Sequence, residues 1–364
     1  MQCIENIGGS LMGEIFSKLE IPASSVCCPK DDTFLVAHRG INTANIHLTA
    51  LSGHPKIKTD LIASFEGSRN FLLKNIDRKI FIGVDNQLLL NEQGSWDLVV
   101  RSKNTSNVFW HMCKSSNEML YVQEYGQPPT NIYMSGDGRL WEYLATSKDV
   151  DSTAKHFHSI CYDPYRKMLI ATFGDGNLVR IAVLMDNERK WRRVYGGAWQ
   201  VLPIVVQENV IVFGMDSGIT NGGLVLWYPD QDRFEVLHLR WLGRSVRFMQ
   251  MSDLKLLSNR IWVAALGRPQ ALIASLDLEN WYSIYVESLD AAFNHLMAIC
   301  EGKEIVALTT GKGLVFITKR DLPKLIAESQ VAIVENKGIR NKLMGVGSVL
   351  KKRANRALKF EGLG

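Results

Sequence analysis

An acidic residue followed four or five positions later by an aromatic recurs along this chain at a near-constant interval. That periodicity restricts the fold more than any other feature. The pairs are Glu92–Trp96, Asp137–Trp141, Asp186–Trp191, Asp230–Phe234 and Asp277–Trp281, with a weaker echo at Asp321–Leu325. Successive second members stand 45, 50, 43, 47 and 44 residues apart. A unit of ~40–50 residues holding several short apolar runs between polar turns has the length of one four-stranded propeller blade. Runs such as KMLIATF, NVIVFGM, RIWVAAL and EIVALTT are continuous rather than alternating, as strands buried on both faces require.

Seven such segments are countable. The first covers roughly 24–60, around TFLVAHR and NIHLTAL, and the others begin near Ala63, Thr105, Lys155, Ala198, Trp241 and Ala291. The expected fold is all-β: a single β-propeller of seven blades, or six if the first segment is partial. Its ring closes between the first and last segments. Neither a Gly-His…Trp-Asp pattern nor the recurrent Gly-Gly of kelch repeats is present. The expected division is an N-terminal segment 1–23, a propeller 24–328 and a tail 329–364.

Charge is segregated along the chain. From Val331 to Gly364 there are eight Lys/Arg against two Glu, whereas the rest holds 34 basic and 35 acidic residues. A neutral body lacks the basic face that phosphate binding needs, so nucleic acid is not an expected partner. The tail places Leu343, Val346, Val349, Leu350 and Leu358 broadly on one side of a helix, with Lys/Arg opposite. A basic amphipathic helix is expected there, to meet an anionic membrane surface or an acidic protein, or to pack back on the body. The N-terminus has no basic start followed by an apolar run, and the six cysteines show neither disulfide nor zinc spacing. The expected location is cytoplasmic, peripheral at a membrane if the tail docks there.

SGDGRLW (Ser135–Trp141) and SLDLENW (Ser275–Trp281) resemble Asp boxes, the BNR-repeat hairpins of sialidase-like propellers. Both are one residue short between Asp and Trp, and the Asp186–Trp191 copy keeps the full spacing with Leu184 and Glu188 in place of Ser and Gly. MLYVQEYGQPPTNIYMSGDG and HFHSICYDPYRKMLIATFGDG also look like proteins grouped with glycosyl hydrolases on the strength of such repeats. The resemblance implies a carbohydrate-related propeller whose boxes are structural turns away from the substrate face. Sialidase chemistry is not implied, because no early Arg-Ile-Pro segment is present.

Candidate site residues fall where blades present side chains to a shared face, on first strands and on the loops after second strands. His156 and His158 stand at i and i+2, so on a strand they project from one side. They suit a general base, a metal pair or a hydrogen-bonding platform. His111 and His295 occupy comparable places in other segments. Glu124-Tyr125, Asp175 and Asp216 follow second strands, and two carboxylates facing one another are what glycoside hydrolysis uses. Arg69 and Arg247 begin strands and have the fork to hold an anionic sugar. Each also has a plain structural reading: a histidine satisfied by its neighbours, a turn-forming Asp beside Gly, or a structural ion pair.

The expected catalytic set is therefore Glu124, Tyr125, Asp175, Asp216 and His158. The expected substrate contacts are His111, His156, Arg247, Arg69 and His295. Neither metal nor cofactor is expected. The leading expectation is a propeller that binds a glycan or glycan precursor and, if an enzyme, cleaves it as a glycoside hydrolase, or less readily as a polysaccharide lyase. The alternative is a non-catalytic protein-interaction propeller tethered to a membrane or partner by its tail. Fold alone does not choose between them.

Overall fold

The computed structural model describes residues 16–20, 23–39, 45–52, 57–216, 222–241, 249–288, 297–329, 332–335 and 341–344. They form the seven four-stranded antiparallel blades of a β-propeller: 23–66, 73–101, 108–146, 157–197, 201–241, 250–288, and a seventh from 299–318. The seventh has three strands of its own and takes its fourth from Phe16–Leu19, which pairs antiparallel with Gly313–Thr318. The propeller thus uses residues from the segment 1–23 as well as from 24–328.

The second strands carry the burial expected of continuous apolar runs. Met168–Phe173, Ile211–Met215 and Ile305–Thr310 are buried at every position. Their side chains pack against the flanking blades on both faces, so alternation would leave polar groups in the core. The acidic-to-aromatic pairs mark entry to the fourth strand. Trp96, Phe234 and Trp281 lie at the start of Ser95–Arg101, Arg233–Trp241 and Trp281–Ser288. Trp141 and Trp191 immediately precede Glu142–Thr146 and Arg192–Gly197.

Two of these turns share one hydrogen-bonding scheme. Asp137 Oδ1 accepts from the backbone N–H of Arg139 and Leu140, Ser135 Oγ accepts from Gly138 N, and Trp141 Nε1 donates to Gly138 O. At the other turn Asp277 Oδ1 accepts from Glu279 and Asn280, Ser275 Oγ from Leu278 N, and Trp281 Nε1 donates to Leu278 O. A short polar side chain that satisfies turn N–H groups, followed by an aromatic that anchors the next strand, explains why this spacing recurs.

The chain divides into two compact units. In the unit of 1–110 and 252–333, apolar clusters lie between blades, for example Leu35, Ala37, Ile46 and Leu48 against Ile82 and Val84. In the unit of 111–251 and 334–364, Ile170, Ile181 and Val183 pack against Ile211, Phe213 and Trp227. A short helix, α1, spans Ser147–Val150 and is closed by a capping box between Thr146 and Asp149. A second, α2, spans Leu322–Glu328 near the C-terminus and buries Leu322 and Ile326. Within the tail 329–364 the described stretches are strands rather than helix: Ala332–Glu335 extends the sheet beside Trp281–Ser288, and Asn341–Met344 pairs with Arg233–Trp241. Among the described residues no helix is long and apolar enough to cross a membrane.

Candidate functional site

The site lies within the unit of 111–251, on blade 4 and the edges of blades 3 and 5. Blade 4 begins with Lys155 and His156 leading into Phe157–Asp163, and its second strand, Met168–Phe173, ends at a Gly174-Asp175-Gly176 loop. Gly174 holds this loop against the first strand: its N–H donates to His156 O at 3.0 Å, and its carbonyl accepts from His158 Nε2 at 2.9 Å. Its φ is +87°, and a Cβ there would stand 2.1 Å from Leu178 O. The position therefore requires glycine.

That turn sets Asp175 in front of both imidazoles. Oδ1 lies 3.2 Å from His158 Nε2 and 3.4 Å from His156 Nε2, and Oδ2 lies 3.4 Å from Lys155 Nζ. The two rings meet edge to face, with centroids 4.9 Å apart, and Tyr125 covers them at 4.7 Å from His156 and 6.0 Å from His158. Tyr125 ends the second strand of blade 3, Leu120–Tyr125. Asp216, immediately after the second strand of blade 5, is only 8% exposed, and its Oδ1 has no hydrogen-bond partner. One ligand-capable atom from each of His156, His158 and Asp175 lies within 4.8 Å of the others.

The two aspartates hold their protons very differently. The His158 hydrogen bond, together with the His156, His158 and Lys155 charges, outweighs burial and keeps the Asp175 carboxyl well below the usual carboxylate range. Burial pushes Asp216 up to about 7, the Asp175 charge adding to the effect and His158 opposing it. Burial, then Asp175 and Asp216, raises the Tyr125 phenol. Burial and the neighbouring His158 lower His156 despite Asp175.

Two members of the expected set are taken up elsewhere. The Glu124 carboxylate is fully buried, accepting from Tyr133 OH at 2.7 Å and from Asn131 N and Nδ2 at 3.2 and 3.0 Å. These three bonds lie within blade 3. Arg69, in the other unit, is a structural tie: Nε contacts Asp85 at 3.2 Å, and its two terminal nitrogens donate to Ser106 O and Thr105 O. His111 sits half-buried on the first strand of blade 3, Val108–Lys114, and is not among the three converging ligand-capable residues. Arg247 and His295 lie outside the described residues, as does 217–221 of the glycine-rich GMDSGITNGG stretch. Lys155 and Gly174 also belong to this site; in the sequence their signals are the Lys-His-x-His string and the Gly-Asp-Gly after a buried strand.

No family model matches this chain. No curated protein matches it either. Solved structures do show its fold. The extracellular domain of the one-component system BT4673 from B. thetaiotaomicron is 13% identical with a TM-score of 0.61, covering 84% of this chain and 40% of its own. This chain therefore spans well under half of that protein. Virginiamycin B lyase from Staphylococcus aureus is 10% identical, TM-score 0.61, covering 83% and 98%. YCF48 bound to D1 peptide is 14% identical, TM-score 0.58, covering 83% and 94%. At these identities the likeness is one of fold.

Proposed function

We propose that this chain binds a glycan or glycan precursor at the face formed by Tyr125, His156, His158, Asp175 and Asp216. The supporting observation is their convergence: an aromatic ring, two imidazoles and the Asp175 carboxylate meet in one small patch on blades 3 and 4, and Asp216 of blade 5 is electrostatically coupled to it. A sugar presents an apolar C–H face beside hydroxyls that both donate and accept. An aromatic ring serves the first, and carboxylates and imidazoles serve the second. The carboxylates also stand in contrasting surroundings, one tied to cationic and imidazole groups and one buried without a hydrogen-bond partner at Oδ1. Glycosidic hydrolysis uses such a division, so hydrolysis is the activity to assay on any glycan that binds. The test is a glycan array probed with wild type, Tyr125→Ala and Asp175→Ala. Selective retention by wild type, lost in both variants with the fold intact, supports the reading; retention of no glycan overturns it.

A second reading is a protein-interaction propeller, and one observation favours it. The outer strand of blade 1, Lys58–Glu66, leaves Leu61 64% and Ile62 51% exposed at a sheet edge. The outer strands of blades 5 and 6 each accept an added strand from the chain's own C-terminal segment. Strand addition of this kind is a common mode of peptide recognition. YCF48, a neighbour in fold, is itself seen bound to a peptide.

A further inference from the structure

We propose that His156, His158 and Asp175 bind one divalent first-row transition ion of the zinc class. The proposal stands on the geometry of the three side chains and does not require a glycan ligand. With bonds of about 2.0–2.2 Å, the donor atoms of a tetrahedral zinc lie about 3.3–3.6 Å apart. Asp175 Oδ1 stands 3.4 Å from His156 Nε2 and 3.2 Å from His158 Nε2, close to the edges of such a tetrahedron. Two histidines and a carboxylate are a donor set suited to zinc and its neighbours.

The bonds around the group orient its donors. His156 Nε2 is buried and meets Asp175 Oδ1 at 3.4 Å, a long contact. His156 also bonds to the Gly126 backbone from its other ring nitrogen, Nδ1. A backbone acceptor on Nδ1 is the usual device that orients a metal-binding imidazole. Lys155 lies against Oδ2 and leaves Oδ1 to act alone, as a monodentate ligand.

His158 needs one rearrangement. Its Nε2 donates to Gly174 O. Ligation through Nε2 transfers that proton to Nδ1, which is buried without a partner, and frees the Gly174 carbonyl. Three protein ligands leave a fourth position open, the arrangement of zinc sites that bind or activate an exogenous oxygen.

The experiment is a zinc titration of chelator-stripped, tag-free full chain against a chromophoric chelator, with folding followed by far-UV circular dichroism. One equivalent per chain is expected. His156→Ala and Asp175→Asn are each expected to weaken binding at least 30-fold, and His38→Ala, which removes a histidine elsewhere, to leave it unchanged. Cobalt in place of zinc is expected to give visible bands of tetrahedral N/O coordination that both variants lose. Absence of a stoichiometric site, or its survival in either folded variant, overturns the proposal. The readout contains no sugar, so its failure is distinct from failure on the glycan array.

Discussion

His158 donates from Nε2 to the carbonyl of Gly174 at 2.9 Å, tying the first strand of blade 4 to the loop after its second strand. Because Gly174 adopts φ +87°, the same residue turns the chain so that Asp175 faces the imidazoles. Gly174→Ala forces a Cβ to within 2.1 Å of Leu178 O, and the loop must move. Strain of this kind costs roughly 1–3 kcal/mol. Hydrogen exchange is expected to show faster opening of 174–178 while the second strand stays protected. Unchanged exchange in that loop contradicts the assignment.

The matched turns at Asp137 and Asp277 predict matched losses. Each carboxylate accepts two backbone N–H groups. Asp137→Ala and Asp277→Ala are each expected to lower stability by about 1–2 kcal/mol, read from urea midpoints. Neither is expected to change ligand binding.

Asp151 gives an acid-dependent contribution. Burial raises its carboxyl, but the Thr153 hydroxyl and N–H, Arg180 and Arg193 outweigh this and bring it below its ordinary value. A carboxylate held low stabilises the folded chain above its unfolded value of about 3.9 and loses that contribution as pH falls through the folded one. Asp151→Asn is expected to be less stable than wild type at pH 7, with the difference narrowing below about pH 4. A constant difference from pH 7 to pH 3 contradicts this assignment.

Glu124 separates structure from site. Its carboxylate serves Tyr133 and Asn131 inside blade 3. Glu124→Gln is expected to lower the thermal midpoint while leaving any ligand affinity within about twofold, since the charge-assisted bond from Tyr133 is what is lost. A selective loss of affinity with unchanged stability places Glu124 back in the site.

How far the sequence carried depends on which interactions are local. Met168–Phe173 was legible because both its faces are apolar, and the Asp277–Trp281 turn because its partners lie within a few residues. His156, His158 and Asp175 were legible because first strands and the loops after second strands hold fixed places in a blade. The role of Arg69 was not, since it depends on carbonyls 36 and 37 residues away. The strand Phe16–Leu19 was also missed: four residues of unremarkable pattern pair with Gly313–Thr318 at the far end of the chain. Glu124 and Tyr125 are adjacent and were read together, yet strand alternation sends them to different surroundings.

The most direct measurement is a pair of affinities for a glycan retained on the array, by calorimetry with Asp216→Asn and Arg69→Ala beside wild type. At least a tenfold loss is expected for Asp216→Asn and no change for Arg69→Ala. Equal affinities for wild type and Asp216→Asn, or a loss confined to Arg69→Ala, would contradict a site on blades 3 to 5.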